Sequence, residues 1–364
     1  MYLPFLVTFV VASGVGLLAT ALVRRWARRI GFLDHPVGHK QHAVPVALGG
    51  GIALAVSICG LLAAGALAAY AMQRQWLPVV LPEPLRPHLP GMASRLPLVL
   101  GIVAGAFILH VVGLIDDRKA LGPLPKLAAQ VIVAVFTAWV LQVRVFEFLP
   151  TSLAIACTVV WIVLVTNAFN FLDNMDGLSA GVAAIGACIF ALAGIRSGQV
   201  LVPLMAGVIA GGLCGFLWFN LTPASIFMGD AGSLVVGYLM SVLAVLTTFY
   251  DPSLDLRPVG VLVPLIALAV PLYDVVSVVT HRIREGVSPF RGDWRHFSHR
   301  LVKRGMSRRD AVLTIYLATA ATGLPAIVLP RVDRAGQVLL MIQCVCVVVM
   351  IAVLEHTGRP RDEP

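Results

Sequence analysis

The sequence predicts an all-α, polytopic integral membrane protein of about eleven transmembrane helices, with ten as the alternative count, forming a single domain over residues 1–364. Three observations predict it. Hydrophobic residues make up 59% of the chain and charged residues only 12%, against about 25% charged in ordinary soluble domains. The mean hydropathy is +0.91. Apolar runs of the roughly 20 residues that cross a bilayer recur from end to end, and Lys and Arg gather between alternate runs.

The runs lie at 2–23, 47–71, 96–115, 126–143, 151–169, 178–195, 200–219, 232–250, 258–281, 310–329 and 335–354. The first is followed by Arg24, Arg25, Arg28 and Arg29, the pattern of a retained anchor rather than a cleaved leader. If the N-terminus lies outside, the inner side carries five Lys and Arg in 24–44, three in 118–126, nine in 282–309 and two after 355. The outer loops hold the remaining eight of 27. This asymmetry obeys the positive-inside rule and sets the C-terminus in the cytoplasm. The net charge of +9 is then explained by topology and an anionic substrate, not by nucleic acid.

Between the runs, the outer segment 72–95 holds Pro78, Pro82, Pro84, Pro87 and Pro90 and reads as an irregular, partly extended connector. The basic segment 282–309 is the one sizeable cytoplasmic loop. Cys59, Cys157, Cys188, Cys214, Cys344 and Cys346 lie inside apolar runs without metal-ligand spacing and read as small core residues. No internal repeat supports an inverted-repeat transporter.

Ionisable groups in or beside spans are expensive and usually functional, and here they fall at one side of the membrane. Asp116 and Asp117 end the third span, Asn167, Asn170, Asp173 and Asp176 end the fifth, and Asp230 follows the seventh. Adjacent carboxylates such as Asp116 and Asp117 repel unless a cation sits between them. Mg²⁺, which takes one or two carboxylates plus phosphate oxygens, suits the pair; a solvated helix end partnered by Arg118 is the plainer alternative. The polar residues from Asn167 to Asp176 recur every three positions and read as a helix-face stripe. Interhelical hydrogen bonding explains Asn167 but not two carboxylates three apart.

Small residues around Asp230, in Phe227-Met-Gly-Asp230-Ala-Gly232, free backbone amides to approach an anion; a plain helix cap at Asp230 is the alternative. In Asp293-x-x-His296-x-x-His299-Arg300-Leu301 the two histidines share a helical face. They lack a third soft ligand for zinc and fit a phosphate-recognising basic patch. His42, Pro45 and the glycines Gly49, Gly50 and Gly51 form a lesser cluster, serving either close packing or anion contact. Asp274, inside the ninth span, reads as buried or cavity-facing, with a basic group such as Arg282 as one candidate partner.

Taken in order, these motifs resemble the polyprenyl-phosphate N-acetylhexosamine-1-phosphate transferase superfamily, from about residue 31 to 305. They are His42-x-x-Pro45 with the triple glycine, Asp116-Asp117, Asn167-x-x-Asn170-x-x-Asp173-x-x-Asp176-Gly177, Phe227-Met-Gly-Asp230 and the histidine motif. Eleven spans and the lack of three consecutive histidines look like the WecA branch more than the MraY branch. The resemblance implies a UDP-N-acetylhexosamine donor, GlcNAc favoured, undecaprenyl phosphate as acceptor, and release of UMP as the first membrane step of a cell-envelope polysaccharide. It also implies Mg²⁺, with Mn²⁺ as a substitute, and a site on the cytoplasmic face of a bacterial inner membrane, and it leaves a homodimer open.

Carried over by position, Asp117 and Asp230 hold the metal and Asp116 contacts the lipid phosphate, as base or otherwise. Asn170, Asp173 and Asp176 line the nucleotide site, with Asp176 and Met175 near uracil and Phe227 stacked on it. Lys126, His296 and His299 face phosphates, and His42 and Arg300 join the substrate-binding set. One departure is Pro45-Val-Ala-Leu48, where relatives often read Pro-Thr-Pro-Arg; the arginine is missing here. Two rivals remain: an MraY-like transferase of phospho-MurNAc-pentapeptide, and a membrane transporter, against which the one-sided clustering counts.

Overall fold

A computed structural model describes residues 1–34, 45–78, 83, 85–247, 258–286 and 296–356. His42, Asp293 and the Ser288–Arg295 part of the histidine segment lie outside those residues, except that the motif resumes at His296. Each of the eleven apolar runs forms helix. In chain order these are α1 (Tyr2–Ile30), α2 (Gly50–Leu54) continuing through a π turn into α3 (Gly60–Gln73), then α4 (Leu89–Ser94) and α5 (Leu96–Arg118). There follow α6 (Pro123–Trp139), α7 (Thr151–Leu172), α8 (Leu178–Arg196), α9 (Leu201–Asn220) and α10 (Asp230–Leu246). The last are α11 (Val263–Ala267), α12 (Ala269–Arg284), α13 (Phe297–Lys303), α14 (Arg308–Val328) and α15 (Arg334–His356).

Eight of these segments are long and apolar enough to cross a membrane. The run expected as a single ninth span is broken at Leu268, where Pro258–Ala267 and Ala269–Arg284 meet at 67°. Pro264 and Pro271 on either side of the break each lack the N–H that an unbroken helix would use. α6 and α10 are apolar but only 17 residues each. Two loop expectations are corrected. The 72–95 connector contains a 3₁₀ turn at Arg86–His88 and the short α4, for which the Pro at its first turn is permissive. The 282–309 loop is partly helical, since α12 runs on to Arg284 and α13 occupies 297–303.

α8, α9 and α10 form the buried centre, and α10 is enclosed along nearly its whole length. Lipid offers apolar helices no hydrophobic reason to associate, so they meet where small residues let backbones touch. Gly207, Gly211 and Gly215 of α9, four residues apart, face α1, and a Cβ on any of them would strike backbone or side-chain atoms of α1. Gly16 answers from the other side, where a Cβ would lie 2.7 Å from the Gly212 carbonyl oxygen.

The glycine triplet resolves in favour of packing. Gly50 and Gly51 donate their N–H groups to the carbonyls of Phe227 and Met228, both at 2.9 Å, while Ala47 forms a parallel bridge to Ile226. This small junction, with the two-residue ladder Leu33–Asp34 against Val46–Ala47, fixes the segment that leads into α10.

Gly113, one turn before the Asp116–Asp117 pair, is the closest approach of α5 to the start of α10. A Cβ there would sit 2.5 Å from both the Ala231 nitrogen and the Asp230 carbonyl. Gly113→Ala is therefore expected to cost about 1–3 kcal/mol through overpacking, read as a lower melting temperature in detergent. Gly65→Ala, where a Cβ meets nothing within 4 Å, should leave it unchanged or raised.

Candidate active site

The two adjacent carboxylates avoid mutual repulsion by facing different partners. Asp117, in the last turn of α5, accepts the N–H groups of Asp230 (2.8 Å) and Ala231 (3.2 Å), the first two residues of α10. The anion expected at this helix start is thus supplied by the chain itself, where free amides and the helix dipole favour it. The turn is made by Gly229 (φ 66°), the residue that caps α10 in place of Asp230. A Cβ at Gly229 would come within 2.6 Å of the Asp117 carboxylate.

Asp116 turns the other way, accepting the Leu121 N–H at 2.8 Å and the Lys126 ammonium at 3.0 Å. Lys126 reaches on to Asp230 at 2.7 Å and so bridges two helices' carboxylates. The second Asp230 oxygen accepts from Asn170 at 3.0 Å, and the same amide nitrogen lies 2.9 Å from the Ser233 hydroxyl.

The stripe expected over 167–176 is helical only to Leu172. Asn167 pairs with Gln130 and Asn170 with Asp230, but Asp173 caps α7 and Asp176 lies in the turn beyond. The Asp173 carboxyl is held well above the ordinary carboxylate range, first by loss of hydration and then by the charges of Asp230, Asp117 and Asp176. Asp176 accepts the Ala224 N–H at 3.0 Å and shapes its loop. Asn220 takes the Gly177 N–H at 3.0 Å, and the Tyr316 hydroxyl donates to the Gly177 carbonyl. Met175 packs against the core, and Phe227 is half-buried with its N–H on the Ala47 carbonyl.

His296 stands at the other wall. Its Nδ1 lies 2.8 Å from Asp274, whose second oxygen accepts the Phe297 N–H at 2.9 Å. The fully buried Asp274 is therefore the seat on which α13 starts. His299 is 6.4 Å from His296 between ring centroids. Burial, followed by the neighbouring His296 and Arg308, pushes its imidazole down to about 4. Arg300 donates to Ser277 (2.8 Å) and pairs with Glu355 (2.9 Å). Asn174, not singled out from the sequence, accepts from Ser298 at 2.7 Å and ties the α7 turn to α13. Its position between Asp173 and Asp176 was the available signal.

A cleft of about 720 Å³ opens between α6, α7 and α12. Lys126, Asn170, Asp173, Asn174 and His296 line its polar end, and Val131, Val160, Val163, Leu164 and Val279 its apolar walls. Asp116, Asp117, Lys126, Asn170, Asp173 and Asp230 thus form one cluster, with His296 across the cleft and His299 beside it. Among the described residues no group of three or more His, Cys, Asp or Glu side chains is arranged as a metal centre. The donors still suit a hard cation that shares its shell with substrate. Two carboxylates, Asp116 and Asp230, meet at one ammonium, Lys126, and Mg²⁺ takes one or two carboxylates plus phosphate oxygens.

Buried helices, a one-ended carboxylate cluster and a cleft that is polar at one end and apolar along its walls define a membrane-embedded transferase of anionic substrates. The chain belongs to the polyprenyl-phosphate N-acetylhexosamine-1-phosphate transferase superfamily. The Glycosyl transferase family 4 model matches residues 99–248, which include the whole carboxylate cluster but neither histidine. The "Probable undecaprenyl-phosphate N-acetylglucosaminyl 1-phosphate transferase" of Bacillus subtilis is 32% identical over 332 residues, 89% of this chain and 84% of the relative. The decaprenyl-phosphate N-acetylglucosaminephosphotransferase of Mycobacterium leprae is 35% identical, covering 84% and 79%. The undecaprenyl-phosphate alpha-N-acetylglucosaminyl 1-phosphate transferase of Salmonella typhi is 28% identical, covering 82% and 77%.

With its folded-state pKa near 4 and an ordinary value of 6.5, His299 binds a proton more readily when the chain unfolds. Stability present above pH 6.5 is then lost as pH falls towards 4, on the order of 3 kcal/mol in full. His299→Gln should flatten the fall of melting temperature between pH 7 and 5; an unchanged slope would remove this role for His299.

Proposed function

We propose that this protein transfers N-acetylglucosamine-1-phosphate from UDP-N-acetylglucosamine to undecaprenyl phosphate, releasing UMP. The observation that carries the reading is the cleft. Its polar end presents Lys126, Asn170, Asp173 and His296, and its apolar walls continue along α6, α7 and α12, which suits a phosphate head joined to a prenyl chain. A lipid-phosphate oxygen attacks the sugar-bound phosphorus of the donor. The P–O bond to the uridylyl phosphate breaks, and UMP leaves with the bridging oxygen.

Two polyanions must meet in this reaction, so positioning and charge neutralisation do most of the work. Lys126 is already held between Asp116 and Asp230 and offers its ammonium to the incoming phosphates. Asn170 holds the Asp230 carboxylate by one oxygen while Lys126 holds the other. His296, oriented by Asp274, presents its free ring nitrogen from the opposite wall, with His299 uncharged beside it and able to donate a hydrogen bond. Asp117 and Asp230 would hold Mg²⁺, or Mn²⁺ in its place, which when bound neutralises charge on the donor pyrophosphate. Asp176, Met175 and Phe227 would receive the uridine.

The reading extends to place and pathway. The basic inner loops support a site on the cytoplasmic face of a bacterial inner membrane, with the N-terminus outside, and the reaction is read as the first membrane step of a cell-envelope polysaccharide. The N-acetylglucosaminyl names of the relatives favour that sugar over the muramoyl-pentapeptide donor.

Incubation with radiolabelled UDP-N-acetylglucosamine and undecaprenyl phosphate should yield labelled lipid and UMP, whereas UDP-MurNAc-pentapeptide should not; the reverse preference would overturn the donor assignment. Asp230→Ala should lower turnover by at least about a hundredfold, as loss of a preorganised charged group does. A phosphate monoester has its second pKa near about 6, so the acceptor is largely dianionic at neutral pH and needs a base chiefly below it. Asp116→Asn should therefore slow turnover more at pH 6 than at pH 8.5; an equal loss at both would remove Asp116 as the base.

A further inference from the structure

The C-terminal helix α15 poses a question. It is the least buried of the candidate spans, and Val338, Leu339, Ile342, Val345, Val349 and Val353 are exposed along it. Yet its last turn carries Glu355, only 3% exposed. Burying a carboxylate costs several kcal/mol unless it is well paired, so this one is there for a partner.

The partner is the helix that carries the histidine motif. Arg300 of α13 pairs with the Glu355 carboxylate at 2.9 Å, and its guanidinium also reaches the Ser277 hydroxyl of α12 at 2.8 Å. Arg304, one turn on, donates its Nε to the Glu355 backbone carbonyl at 3.0 Å. Tyr273 of α12 lies close enough to the same carboxylate to feel its charge and stacks edge-on against Phe297 at 5.9 Å. α13 has only seven residues, too few for a helix to hold its own shape. Its start is pinned by Asp274 through His296 and Phe297; its middle is pinned from α15.

We propose that Glu355 is a positioning residue for the transfer reaction: by holding Arg300 and Arg304 it fixes α13, and with it the directions of His296 and His299. The inference rests on the proposed function, in which those histidines face substrate phosphates. α15 on this account is more than a membrane anchor, because its terminal turn closes the wall of the active site opposite the carboxylates.

The test uses the full-length protein in detergent, with Glu355→Gln, Glu355→Asp, His299→Ala and the lipid-facing control Val349→Ala. In Glu355→Gln, hydrogen exchange of the 297–303 amides should speed up by about tenfold or more, the ratio expected when a charge-assisted hydrogen bond is lost. The KM for UDP-N-acetylglucosamine should rise by about tenfold on the same grounds, with Glu355→Asp partly restoring it and Val349→Ala at the parent value. A smaller folded fraction would instead lower the maximal rate and leave KM alone. Unchanged exchange in Glu355→Gln overturns the proposal. So does faster exchange with an unaltered KM while His299→Ala raises KM. If His299→Ala has no effect on either parameter, the assignment of the histidine motif to substrate fails, and the exchange result still decides whether Glu355 holds α13.

Discussion

The contact on which the site depends is the seating of the Asp117 carboxylate on the first two amides of α10. It locks the end of α5 against the start of α10, and both helices bring a further carboxylate to the same place. With that junction formed, Asp116 of α5 and Asp230 of α10 both reach the Lys126 ammonium, which ties in α6. Gly113 and Gly229 are the two positions where a side chain would prevent the seating. The backbone of Phe227 and Met228, held by Gly50 and Gly51, delivers the segment in register.

The opposite wall is built on the same physical logic with a different partner. Asp274, buried inside a span, is stabilised by an imidazole and a backbone amide, and Glu355 by a guanidinium. Each buried carboxylate is an alignment device whose desolvation is offset only when its partner is in place. The carboxylate-rich wall is different, because Asp116, Asp117, Asp173 and Asp230 gather there while the Lys126 ammonium pairs with two of them, Asp116 and Asp230. At Asp173 loss of hydration, with the charges of Asp230, Asp117 and Asp176 added to it, raises the hold of the carboxyl on its proton. One wall is balanced and rigid, and the other is short of positive charge where phosphates and a cation would supply a complementary set.

Much of this was legible in the sequence. Each of the eleven apolar runs holds helix among the described residues, because long apolar runs have few alternatives in a bilayer, although eight of them, or nine with the bent pair, are long enough to span. The carboxylates stood out because ionisable groups beside spans are rare. What failed to show was whatever depends on neighbours distant in the chain. The every-third spacing from Asn167 to Asp176 was read as one helical stripe, but α7 stops at Leu172 and the later residues serve turns. The break at Leu268 was hidden because a bent span has the same composition as a straight one. Asn174 and Glu355 carry no motif and acquire meaning only from Ser298 and Arg300. The spacing of Gly207, Gly211 and Gly215 was visible in the sequence, but its partner helix was not.

That glycine ridge bears on how the chain is assembled. α1 is made well before α9, yet the surface that grips it belongs to α9, which begins at Leu201. Until α9 has been synthesised and inserted, the N-terminal helix has only lipid and the adjoining α2 segment around it, so its final place is decided late. Contacts so far apart in sequence are slow to form and leave earlier elements waiting. The bundle is therefore closed by its middle gripping its beginning, and a ribosome that stalls before α9 would release a chain whose first helix has not yet found its seat.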